Sequence, residues 1–94
     1  MITPDNLVRK STKLLMSTVD NEAVILGVDS GKYFGLNEIG TKIWSIIDNP
    51  VRVSELIDSL VELYDEDINV ISSHTIEFLS TLLEKSLIEL IDEN

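Results

Sequence analysis

Residues 32–44 change their hydrophobic period within one short run, and that change constrains the fold more than any other feature of the chain. After a turn signal at Ser30 and Gly31, the aromatic and apolar residues Tyr33, Phe34 and Leu36 have the character of a strand. Asn37 then suits a helix N-cap and Glu38 a first turn, while Ile39, Ile43, Trp44, Ile46 and Ile47 fall on one helical face. A strand therefore enters a helix almost without a loop, which sets their relative direction. As a structural elbow in a small α+β domain, each of these residues is accounted for without any ligand.

The chain's 94 residues supply one modest core, so a single domain spanning 1–94 is expected. An apolar fraction of 44% is that of a folded chain. Cysteine is absent, which excludes disulfides and thiolate metal sites. No apolar run approaches the ~20 residues needed to span a bilayer, and residues 1–20 lack the order of a signal peptide. The expectation is a soluble, cytoplasmic protein with no membrane partner.

Charge is distributed unevenly. Residues 1–52 carry six acids and six bases, whereas residues 53–94 carry eleven acids against Lys85 alone, which accounts for the whole net charge of −10. A nucleic-acid surface needs Lys and Arg to displace counterions, and an acidic half repels phosphate. Nucleic acid is therefore not an expected partner. A solvated acidic surface also maintains solubility, and a cationic partner would be attracted to it.

Residues 1–12, with Pro4, Arg9 and Lys10, read as a polar lead-in, and Lys13 borders the first strand. Strands are expected at residues 14–19, 23–28 and 32–36, separated by turns at Asp20, Asn21, Glu22 and at Asp29, Ser30, Gly31. Gly27 and Gly35 inside strands signal a bulge or a close backbone approach. Three helices follow. The first covers about residues 37–48 and is stopped by Asn49 and Pro50. The second begins near Ser54, a good N-cap, has an apolar stripe of Leu56, Ile57, Leu60, Val61, Leu63 and Tyr64, and breaks at Asp65, Glu66 and Asp67. The third starts at Val70 or Ser72 and runs to Lys85, with Ile71, Thr75, Phe78, Leu79 and Leu82 inward and Ile76 and Leu83 on one shoulder. Residues 87–91 are apolar enough to pack back, as a short strand or as a continued helix. A meander followed by three helices is an α+β domain with its helices on one face of the sheet, and its third strand is an edge.

Little in the sequence points to catalysis. His74 is the only histidine, no nucleophile elbow or phosphate-cradling glycine loop occurs, and no cofactor is expected. Asp65, Glu66 and Asp67 lack the alternating ligands and central glycine of a calcium loop and read as a solvated helix end, so no metal is expected. His74 reads as a partly buried histidine beside the inner face of the third helix. A binding surface remains: an edge strand beside an amphipathic helix is a recurrent peptide-recognition geometry, in which an extended peptide adds as a further strand.

The run Tyr33, Phe34, Gly35, Leu36, Asn37, Glu38, Ile39, Gly40, with Ile43 and Trp44, then Val53 to Leu56, Leu79, Leu82, Leu87 and Ile88, resembles the PqqD family of recognition domains for ribosomally made, modified peptides. The resemblance covers about residues 12–91. It implies a winged-helix-like fold of a three-stranded antiparallel β-meander followed by three helices. It also implies a non-catalytic peptide chaperone that grips the leader of a precursor peptide and presents it to a modifying enzyme or leader peptidase. Within the family, the chain looks most similar to standalone lasso-peptide recognition proteins; the alternative is a chaperone for a radical enzyme that matures a peptide. From another class, a winged-helix nucleic-acid regulator uses the same elements, and the acidic half argues against it. The implied peptide contacts are Lys32, Tyr33, Phe34, Gly35 and Leu36 on the third strand and Ile71, His74, Thr75 and Phe78 on the third helix. Oligomeric state is left open. Ser86 stands where the family usually has glycine, which implies an altered or frayed end to the third helix.

Overall fold

In the computed structural model, which describes residues 2–20 and 22–91, the chain runs β1 (Leu7–Lys10), β2 (Leu14–Val19), β3 (Glu22–Gly27), β4 (Tyr33–Leu36), α1 (Glu38–Ile46), β5 (Val51–Arg52), α2 (Val53–Tyr64), α3 (Ile68–Glu84) and β6 (Ile88–Ile91). The expected meander is present as an antiparallel sheet in the order β2-β3-β4. A second antiparallel sheet, ordered β5-β1-β6, was not anticipated. The architecture is α+β: three helices and two three-stranded antiparallel sheets around one core. Asn21 of the expected first turn lies outside the described residues, as do Asp92 and Glu93 of the acidic half.

The second sheet corrects the reading of residues 1–12 as a mere lead-in. Leu7 to Lys10 pair with Ile91 to Ile88, and Val8 is fully buried. The pattern Leu7, Val8, Arg9, Lys10 is too short and too polar to declare a strand. Its partner lies at the other end of the sequence, so only the closed fold supplies the ladder.

The same segment caps a helix. Ser54 was expected to cap α2, but the helix begins one residue earlier, and Arg52 at the cap position makes no side-chain capping bond. The amides of Val53 and Ser54 instead donate to the carbonyls of Asn6 and Pro4, each at 2.9 Å. First-turn N–H groups have no intrahelical partner, and here distant backbone satisfies two of them. The acidic run between α2 and α3 is an elbow built from caps: Asp65 is left-handed (φ 48°), and the Asp67 carboxylate accepts from the Asn69 amide at 2.7 Å. That cap lets α3 start at Ile68, earlier than its apolar periodicity indicates.

Where α3 ends, Ser86 takes the left-handed conformation (φ 61°) that glycine adopts at lower cost. The Leu87 amide donates to the Leu82 carbonyl at 2.9 Å and the Ser86 amide to the Leu83 carbonyl at 3.0 Å, a complete Schellman motif. The helix end is therefore ordered, not frayed. It turns the buried Leu87 and Ile88 into β6, which settles residues 88–91 as strand.

Asn37 caps α1 as expected, its Oδ1 accepting from the Gly40 amide at 2.8 Å. Ile43, Trp44 and Ile47 are buried on the sheet, and the Lys10 ammonium sits 4.6 Å from the Trp44 ring centroid while also pairing with Asp48. Ile39, placed on the same face by periodicity, is 51% exposed, because the first turn of α1 overhangs a groove. Leu63 is likewise exposed, at the outer side of the last turn of α2.

Two stability measurements follow from this packing. Trp44→Ala should lose about 3–5 kcal/mol in a urea melt, as a large buried aromatic does. A midpoint unchanged from the parent would place Trp44 outside the core. Ser86→Gly should gain about 1 kcal/mol by removing a left-handed β-carbon. A loss of stability in that variant would mean that Ser86 has a role beyond its backbone angle.

Candidate functional site

Antiparallel pairing decides which backbone groups of β4 are available. The Gly27 amide donates to the Lys32 carbonyl at 2.9 Å, so Lys32 faces β3, and by the alternation of an antiparallel ladder so do Phe34 and Leu36. The N–H and C=O groups of Tyr33 and Gly35 turn the other way. Among the described residues no strand pairs with that side of β4, so it is an open edge.

Side chains alternate with the same period. Phe34 and Leu36 point to the helices, whereas Tyr33 is 69% exposed on the opposite face. Phe34 packs against Phe78 of α3, with ring centroids 5.9 Å apart and planes tilted by 58°. The Lys85 ammonium lies 5.8 Å from the Phe34 ring centroid. Gly40 makes this packing possible: a β-carbon there would stand 3.3 Å from two ring carbons of Phe78 and 3.2 Å from Asn37 Oδ1. A glycine in the first turn of α1 thus brings α3 close to β4.

Between β4, α1 and α3 lies a groove of about 640 Å³. Phe34 and Gly35 form one side and Ile71, His74, Thr75 and Phe78 the other. Its far end runs between Ile39 and Ile43 of α1, Leu60 and Tyr64 of α2, and Val70 of α3, with Glu66 at the rim. The surface is mainly apolar, and Ile39, Tyr64 and Val70 expose large side chains to it. Thr75 is buried in the wall, while His74 is exposed.

Six of the nine residues expected to touch peptide line this groove: Phe34, Gly35, Ile71, His74, Thr75 and Phe78. Three do not. Lys32 precedes the strand and is exposed, and the side chain of Tyr33 projects from the far face. Leu36 is 1% exposed and belongs to the core. Gly27, by contrast, shows the close approach expected of a strand glycine, since a β-carbon would fall 2.6 Å from Ser30 Oγ; Gly35 has open space around it. The sequence reading did not single out Ile39, Tyr64, Val70 or Glu66 as lining. Val70 was accessible to it, since it lies one turn before His74 on the ridge through Ile71, Thr75 and Phe78.

Among the described residues no group of three His, Cys, Asp or Glu is placed to hold a metal ion. Among them, too, no helix is long and apolar enough to cross a membrane.

A comparison with protein-family models matches residues 22–88 to the family described as coenzyme PQQ synthesis protein D, PqqD. That span runs from β3 to the start of β6 and contains the whole groove. A search of curated proteins returned no significant match. Among solved structures, the chain is similar to TbiB1, determined in complex with the TbiA(beta) leader peptide. The TM-score is 0.78 at 29% identity, with 90% of this chain and 99% of that one covered. With β3, β4, the three helices and the groove all inside a match that spans more than half of its length, the chain belongs to the PqqD family.

Proposed function

We propose that this protein is a non-catalytic recognition element. It binds the leader of a ribosomally synthesised precursor peptide by strand addition to β4 and delivers it to a leader peptidase or other modifying enzyme, in lasso-peptide biosynthesis. The observation that carries this reading is the open edge of β4 directly beside an apolar groove. Free N–H and C=O groups at Tyr33 and Gly35 offer sequence-independent affinity, and the groove offers pockets for alternate side chains. TbiB1, bound to a leader peptide, supports the ligand class. The family description, from a cofactor pathway, keeps a chaperone for a radical enzyme as the second reading.

A synthetic leader titrated into the labelled protein tests the proposal. Amide shifts should concentrate on residues 33–36 and on α3; shifts that avoid both would overturn it. Gly35→Pro removes a donor that faces the open edge and should weaken binding about tenfold relative to Gly35→Ala, the effect of one lost hydrogen bond. Gly35→Ala has room for its methyl group. Phe34→Pro is a poorer test, because the Phe34 amide faces β3 and its loss damages the sheet. Ile39→Ala and Val70→Ala, at exposed positions, should weaken binding while leaving the melting curve close to the parent's.

The acidic half supplies a second measurement. Glu66 stands at the groove rim, and a leader segment carrying Lys or Arg would be steered toward it. The association rate for such a leader should fall about tenfold between low and high salt. A rate independent of salt would leave these acids a role in solubility only.

A further inference from the structure

The meander has a second edge, and it is the more exposed of the two. β2 spans six residues, Leu14–Val19, with no charge, proline or glycine among them. The Val28 amide donates to the Lys13 carbonyl at 2.9 Å, so Lys13, Leu15 and Ser17 face β3. Leu14, Met16 and Thr18 therefore turn their N–H and C=O groups outward. Among the described residues no strand pairs there. Side chains on both faces are open: Leu15 is 59% exposed and Met16 52%. Leu15 continues across the outer face of the sheet in one row with Leu26 and Tyr33. Folded proteins usually block such an edge with charges, prolines or bulges, and β2 has none of these.

The charges at its ends indicate what completes it. Lys13 (φ 58°), whose exposed ammonium lies 3.3 Å from Asp29 Oδ2 in an ion pair that solvent screens, and Asp20 (φ 51°), both left-handed, bound the strand, and Glu22 follows across the turn. A strand that is basic at its start, neutral along its length and acidic at its finish is complementary to itself when reversed. The backbone parity restricts the register, because outward-facing residues must meet outward-facing residues. Met16 then stands opposite its own copy and Leu14 opposite Thr18, with Lys13 of each chain next to the Val19–Asp20 end of the other. β2 lies in the half of the sequence, residues 1–52, that balances six acids with six bases, whereas residues 53–94 carry the net charge of −10. Helix α1 packs beneath β3 and β4, leaving β2 as the projecting side of the sheet.

We propose that a second copy of this chain pairs antiparallel on β2, forming a two-fold dimer with one continuous six-stranded sheet in the order β4-β3-β2-β2-β3-β4. Such a contact is isologous and closes on itself. It leaves β4 at both outer ends, so the dimer presents two grooves facing away from each other. The inference is independent of what the grooves bind.

Sedimentation equilibrium of the full chain between about 5 and 500 µM, a range that brackets a weak dimer, tests it together with hydrogen exchange. The protein should pass from monomer to dimer, and exchange at the Met16 and Thr18 amides should slow as concentration rises. Met16→Lys, which places a charge on the two-fold axis, should be monomeric throughout. So should Thr18→Pro, which removes an outward donor without touching the β3 ladder. A parent that stays monomeric overturns the proposal, as does a dimer that survives both substitutions in variants with the parent's circular dichroism. Protection of Met16 and Thr18 that appears only on adding a peptide-processing enzyme would assign the edge to that partner instead.

Discussion

The close approach of α3 to the junction between β4 and α1 is the contact on which the rest of the arrangement depends. Gly40 leaves room for Phe78, Phe78 meets Phe34, and Asn37 caps α1 by accepting from the Gly40 amide. These contacts fix the distance between an edge strand and a helix. Widened by a side chain at position 40, the groove would lose its wall; without the cap, α1 would no longer start where the strand stops. Ile43 and Trp44, one turn further on, hold the same helix to the core, so the groove is supported from below by the residues that stabilise the fold.

The second constraint comes from the start of the chain. Leu7 to Lys10 pair with β5 on one side and β6 on the other, and the carbonyls of Pro4 and Asn6 cap α2. One short segment thereby ties together the strand before α2 and the strand after α3. Since α2 and α3 supply the far end of the groove, this clasp sets the position of Leu60, Tyr64 and Val70 relative to Phe34. Side-chain pairing adds little here: the Arg9–Glu89 bridge at 2.9 Å is exposed on both sides, and such pairs are worth a fraction of a kcal/mol, on the order of 0–1. Backbone hydrogen bonds and the burial of Val8, Leu87 and Ile88 do the holding.

The two edges of the meander differ in what surrounds them. β4 is short and overlooks a groove, so a strand added there gains both backbone bonds and side-chain burial. β2 is longer, half-buried at Leu14 and open at Leu15 and Met16, so it offers backbone bonds and a flat apolar row. An extended peptide is matched by the first; a rigid strand already held in a sheet is matched by the second.

By itself the sequence determined what depends on local chemistry. The turn signals at Gly31 and Asn49-Pro50, the cap at Asn37, the buried stripe Ile71, Thr75, Leu79 and Leu82, and the edge position of β4 all arise from neighbours a few residues apart. The ridge from Ile71 to Phe78 was legible for the same reason, since helical spacing places those residues together whatever the fold. What only the tertiary structure decided rests on partners distant in sequence. β1 is a strand because residues 51–52 and 88–91 accept its hydrogen bonds, and α2 begins at Val53 because Asn6 and Pro4 reach it. Ile39 obeys the helical period of α1 yet stays exposed, because nothing in α1 records that its first turn overhangs a groove. Tyr33 and Phe34 are equivalent as strand residues; the helices covering only one face of the sheet make Phe34 the groove residue and leave Tyr33 outside. Periodicity specifies which residues share a face, but burial requires another element against that face, and that is a property of the assembled chain.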